Sequence, residues 1–138
     1  MSFWYDLTVD SNDNVYGTGY FQGSVNFGNT TVTTTGFDGW LARVNSSGQF
    51  DWAVKFGGFD VDVGWDLAAD NYDNLYVTGY YQNYTDFDGN QLFAQGQSEN
   101  ARFFVAYYNT SSSQWDWAKD CSGSGNSVPY QIVVEPST

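Results

Sequence analysis

Asp6-Leu7-Thr8-Val9-Asp10-Ser11-Asn12-Asp13-Asn14-Val15-Tyr16-Gly17-Thr18-Gly19-Tyr20 returns as Asp66-Leu67-Ala68-Ala69-Asp70-Asn71-Tyr72-Asp73-Asn74-Leu75-Tyr76-Val77-Thr78-Gly79-Tyr80. Further along, Phe50-Asp51-Trp52-Ala53 returns as Trp115-Asp116-Trp117-Ala118. A repeat this long is one supersecondary unit that cannot bury its apolar face alone, so copies stack on one another.

Within each unit, apolar and polar residues alternate with period two between clusters of Gly, Asn, Asp and Ser, which is the pattern of short antiparallel strands. The first unit predicts strands at 6–9, 15–21, 40–44 and 49–56. The second predicts 66–69, 75–81, 103–108 and 114–120, with its extra length in turn regions at 88–101 and 111–113. Four short antiparallel strands joined by tight turns describe a propeller blade. A third copy begins at Tyr130-Gln131-Ile132-Val133-Val134-Glu135, in line with 65–70, and stops at Pro136. The expected fold is therefore all-β, with a blade over 1–63, a second over 64–127, and over 128–138 the first strand of a further blade or a linker.

The run Val9–Tyr20 resembles the "VDSxGNVYVTGY" core of the bacterial and archaeal β-propeller repeat called SBBP. The stretch Trp40–Gly58 is similar to that family's "ahvaklnssGnvlWakkfGG". The sequence departs from the pattern at Asn12-Asp13-Asn14, which lacks the usual glycine. It departs again at Lys119-Asp120-Cys121-Ser122-Gly123-Ser124-Gly125, which replaces Lys-Phe-Gly-Gly. The resemblance implies blades of a large surface or secreted protein with no catalytic assignment.

Composition agrees with a packed β protein: 20% of the residues are aromatic and only 14% are charged. The net charge of −12 comes from sixteen acids against Arg43, Lys55, Arg102 and Lys119. Such a surface repels phosphate backbones, so nucleic acid is not an expected partner. No apolar run is long enough to span a bilayer as a helix. The start Met1-Ser2-Phe3-Trp4 has neither a basic nor an apolar leader region, so an export signal is expected outside this sequence. Cys121 is the single cysteine and excludes an intrachain disulfide.

Several residue sets carry candidate chemistry. Asp10, Asn12, Asp13 and Asn14, repeated as Asp70, Asp73 and Asn74, set side-chain oxygens at alternating positions, as calcium loops do. The competing reading is a hairpin loop whose Asp and Asn side chains satisfy their own backbone. Asn29, Asn45, Asn83 and Asn109 each open an N-glycosylation acceptor triplet in a predicted turn or strand end. Trp40, Trp52, Phe104, Trp117, Tyr20 and Tyr80 recur at matching repeat positions, which predicts packing between blades. Tyr81 and Tyr84 lack that symmetry and are candidate glycan contacts.

No histidine is present, and Cys121 has no His partner and sits in a Gly/Ser-rich turn, so a nucleophilic or metal-assisted enzyme is not expected. Asp60, Asp62 and Asp66 are the closest approach to a glycosidase carboxylate set, without the arginine cluster or Ser-x-Asp-x-Gly-x-Thr-Trp boxes of sialidase-type propellers. The expected role is a non-enzymatic structural or adhesive module of an extracellular or cell-surface assembly, completed by further blades in cis or identical copies in trans as a ring or filament. The alternative is a lectin-like module that takes glycans.

Overall fold

The computed structural model describes residues 1–94, 101–121 and 125–135. Among them there is no helix. Ten strands run β1 (Ser2–Val9), β2 (Val15–Phe27), β3 (Thr30–Val44), β4 (Phe50–Phe56), β5 (Asp62–Ala69), β6 (Leu75–Gln82), β7 (Tyr84–Phe87), β8 (Asn90–Phe93), β9 (Ala101–Asn109) and β10 (Gln114–Asp120). They form two four-stranded antiparallel sheets, ordered β1-β2-β3-β4 and β5-β6-β9-β10, and the separate hairpin β7-β8. The eight strands predicted for the two units coincide with observed ones, the fourth starting at Phe50 and not at Gln49, while the strand expected at 130–135 is not formed. Part of the predicted insertion at 88–101, residues 122–124 of the stretch 119–125, and Pro136 lie outside the described residues.

The repeated Thr-Gly pair has a clear structural cause. The Thr18 and Thr78 hydroxyls donate to the Trp40 and Phe104 carbonyls of the third strand, each at 2.7 Å, in the buried interior. The glycine that follows lets the first strand cross at close range. A Cβ on Gly19 would lie 1.8 Å from the Phe3 carbonyl oxygen, and one on Gly79 would lie 1.9 Å from that of Val63. In both sheets strand one slips register at this point, between Trp4 and Asp6 and between Gly64 and Asp66. A β-bulge of this kind increases local twist and needs a partner without a side chain.

The main core lies between the sheets. From the first come Tyr16, Leu41 and Phe56, with Trp52 and Val54 at its edge; from the second come Leu67, Leu75, Val77, Phe104, Ala106, Tyr108, Trp115 and Ala118. Phe56 is stacked on Phe87 at 4.7 Å and meets Phe104 edge-on at 5.3 Å, while Trp52 lies 5.1 Å from Tyr108. Phe104 and Trp52 therefore pack between the sheets, as their recurrence predicts.

Of the other four positions, Trp40 and Trp117 pack elsewhere. Trp40 is fully buried, but in a second cluster with Phe21, Phe27, Val32, Ala42 and Ala53 on the far face of its own sheet. The long β2-β3 hairpin that folds over this face supplies Phe27 and Val32, so Trp40 packs within its unit and not between units. Trp117 lies on the outward face of the second sheet, stacked on Tyr107 at 5.8 Å. Tyr20 and Tyr80 sit at the two ends of a chain of rings through Tyr5 and Trp65 that crosses from one sheet to the other.

The segment 130–135 forms no strand ladder. In both complete units strand one pairs only with its own strand two, and the sequence holds no second strand for this one.

Removing the Phe56 ring opens a cavity bounded by both sheets. Phe56→Ala is expected to destabilise the chain by about 3–5 kcal/mol. Denaturant unfolding followed by tryptophan fluorescence and by far-ultraviolet circular dichroism should shift together. Loss of one sheet while the other keeps its midpoint would contradict a shared core.

Candidate functional site: the cleft at the turn end

The turns joining β1 to β2 and β5 to β6 lie side by side at one end of the sheets. In the first, Asp10 Oδ1 accepts from the Asn12 and Asn14 N–H groups at 2.8 and 3.0 Å. Its Oδ2 accepts from the Asn14 amide and the Tyr16 hydroxyl, both at 2.9 Å. Asp70 repeats the pattern with the N–H groups of Tyr72 and Asn74, at 2.8 and 3.0 Å, and with the Tyr107 hydroxyl at 3.3 Å. Asp13 and Asp73 adopt left-handed backbone, φ 62° and 61°. An aspartate tolerates this region at modest cost.

These bonds set the electrostatics. Burial pushes the Asp10 carboxyl up, but the bonds from Asn14, Asn12 and Tyr16 outweigh it and hold the group below its usual range. The Tyr16 phenol is raised, first by burial and then by its bond to Asp10. The two loops are also tied to each other. The Ser11 hydroxyl donates to Asp73 Oδ2 at 3.1 Å. Asn74 Oδ1 accepts from the Thr110 N–H at 3.0 Å. Between them lies an open polar cleft of about 260 Å³, lined by Asp10, Asn12, Tyr16, Arg43, Tyr72 and Asp73 among others. Arg43 sits 3.4 Å from Asp51 and 6.0 Å from the centre of the Tyr16 ring. Tyr72 is 83% exposed.

Of the candidate calcium ligands, Asp10, Asn14, Asp70, Asp73 and Asn74 thus use side-chain atoms in hydrogen bonds within or between the loops. Among the described residues, no three acidic or cysteine side chains are arranged to hold a metal ion. Of the four acceptor asparagines, Asn29 alone is exposed, at the tip of the β2-β3 hairpin. The side-chain amides of Asn45, Asn83 and Asn109 donate to Asp51, Asp60 and Asp116.

Tyr81 is not available to a sugar. It is fully buried, with its hydroxyl donating to Asp120, because its strand position points it into the inter-sheet core. Tyr84 is half-buried, 5.0 Å from Phe93, and donates to Asp86. The three carboxylates read as a glycosidase set do not share a cleft. Asp60 accepts from Asn83, Asp62 is buried, and Asp66 accepts from the Ile132 N–H. Comparison with protein-family models and with curated proteins finds no match.

Two features escape a reading of the sequence. Tyr72 replaces the Asn12 of the first unit, and only the loop geometry reveals it as the exposed ring of the cleft. The second feature is a buried acidic junction between the sheets. Asp38 accepts from Lys55 at 2.9 Å and Asp62 from the Gly58 N–H at 2.9 Å. The other oxygen of each is buried without a hydrogen bond from the described residues. The residue equivalent to Asp62 in the first unit is Ser2, so the repeat gives no warning of it.

Burial pushes the Asp62 carboxyl up to about 7, and the charges of Asp38 and Asp60 add to the shift. Between pH 4 and 7 the folded chain then keeps a proton that the unfolded chain has released, so this group's contribution to stability falls as pH rises. The wild type is expected to lose roughly 2–4 kcal/mol between pH 5 and 8 through this group. Asp62→Asn should flatten that slope in denaturant titrations. Equal slopes for the two proteins would contradict the assignment.

Proposed function

We propose that the chain is a non-enzymatic structural module, two propeller-type blades of an extracellular or cell-surface assembly. The observation that carries this reading is the core shared by the two sheets, in which Phe56 of the first unit is enclosed by Phe87, Phe104 and Trp115 of the second. Each unit depends on a neighbour, which is how stacked repeats build rigid extended surfaces. The resemblance to the SBBP repeat supports the blade assignment at the Val9–Tyr20 run and the Trp40–Gly58 stretch. The polar chemistry of the turns also fits a scaffold, since the Asp10 and Asp70 carboxylates are spent on their own loops.

A second reading rests on the cleft. An exposed Tyr72 ring beside Asn12 and Asp73 has the flat apolar face and polar rim with which proteins take sugars. A glycan array separates the two. A structural module shows no sugar-specific binding at micromolar concentration. Binding that is specific for one sugar class and is lost in Tyr72→Ala, with thermal stability unchanged, would establish the lectin reading instead.

A further inference from the structure

The two faces by which the sheets meet are set by one position of strand one. In the second sheet that position is Gly64, which approaches the first sheet so closely that a Cβ would lie 2.0 Å from Thr18 Oγ1. In the first sheet it is Trp4. Its indole folds back over its own sheet, packs edge-on against Trp40 at 4.5 Å, and occupies the space above Gly17, where a Cβ would fall 2.1 Å from the ring. The counterpart of Gly17 is Val77, buried in the core shared with the first sheet. Trp4 over Gly17 covers a face from within its own unit; Gly64 beside Val77 leaves the same face to be covered by a neighbour.

A second copy of the chain, entering on the second sheet as the second sheet enters on the first, would bring Trp4 to Thr78, the counterpart of the threonine that Gly64 accommodates. The cover that Trp4 gives is partial: Trp4 is 43% and Leu7 58% exposed, whereas Leu67, the counterpart of Leu7, is 3% exposed beneath the neighbouring sheet.

The opposite end is different. Asp6 Oδ2 accepts from the Leu67 N–H at 3.1 Å, linking strand one of the first unit to strand one of the second. Asp66, the repeat of Asp6, accepts from the Ile132 N–H at 2.5 Å, and Ile132 aligns with Leu67. The same bond recurs one unit further on. Pro129, aligned with Gly64, lies with Thr78, the counterpart of Thr18, on the wall of a cavity of about 260 Å³ that also takes in Phe103 and Val105. A proline ring cannot approach a threonine as a glycine does, and the cavity lies where that closer approach is lost. Next to it Tyr76, Tyr107 and Trp117 form a half-buried aromatic patch. The counterparts of Tyr76 and Trp117 are Tyr16 and Trp52, which help to carry the second sheet on the first.

We propose that the outward face of the second sheet is the seat of one further sheet of this same repeat, with residues 130–135 already docked as its first strand. The inference rests on the stacked-sheet reading above and names the occupant of its open end.

The test appends a copy of residues 71–121 directly after Glu135, so that the docked strand is followed by the strands it lacks. Hydrogen exchange is read on the peptide 127–135, which the copy does not duplicate. The extended chain should slow exchange at Ile132 at least about tenfold, the worth of one secured hydrogen bond to a charged group, and should melt in one transition at higher temperature. In the unaltered chain, Asp66→Ala should speed exchange at Ile132 by a similar factor; equal rates would overturn the docking even if the extended chain folds poorly. Unchanged exchange in a folded extended chain would overturn the proposal alone, since the shared core is tested separately by Phe56→Ala. Growth of the unaltered chain with concentration, beyond its 15.4 kDa monomer, would overturn it in favour of a second copy.

Discussion

Every sheet in this protein has two faces and only its own residues or a neighbour to cover them. The packing of Phe56 against Phe87, Phe104 and Trp115 is the solution for the face between the units, and the rest of the structure is arranged around it. Ring centroids 4.7–5.7 Å apart, mostly edge-to-face, give the close contact that rewards aromatic burial beyond its area. A sheet with one apolar face open leaves that face to water; two such sheets pressed together bury it in one shared core between them.

The remaining devices serve that contact. The Thr-Gly pair at the centre of strand two sets how closely strand one crosses, and so where the inner edge of each sheet lies. The aspartate at the start of each turn closes the loop on itself, and the Ser11–Asp73 and Asn74–Thr110 bonds lock neighbouring loops in register. The high acid content therefore has two uses. Some carboxylates cap backbone N–H groups at the exposed turns, while Asp38 and Asp62 are buried at the junction, where the desolvation of Asp62 opposes stability at neutral pH. The residue types at the two ends differ for the same reason as the core exists: a face is either filled by its own Trp4 or left for another sheet.

Much of this is legible in the sequence, and the boundary of what is legible has a physical origin. Alternation and repeated turn residues identify all eight strands of the two sheets, because period and turn chemistry are local properties. The aspartate-led loops read from sequence either as calcium sites or as self-capped turns; the hydrogen-bond geometry adds that the Asp10 and Asp70 carboxylates turn toward their own backbone, while Asp73 reaches the neighbouring loop. Trp40 and Trp117 recur at repeat positions, yet one is covered by its own hairpin and the other faces outward. Recurrence identifies a face without saying what covers it. Tyr81 looks like an unmatched surface aromatic because its counterpart, Phe21, lacks the hydroxyl that reaches Asp120. The long β2-β3 hairpin and the separate β7-β8 pair fill equivalent space with different connectivity, which no local pattern encodes.

The central claim is that neither sheet is stable without the other. Native-state hydrogen exchange at low denaturant measures it most directly, by the opening free energy of the slowest amides in β2-β3 and in β6-β9. The account predicts one common value, equal to the global unfolding free energy, for both sets. Two distinct values, with one sheet opening while the other stays protected, would contradict it.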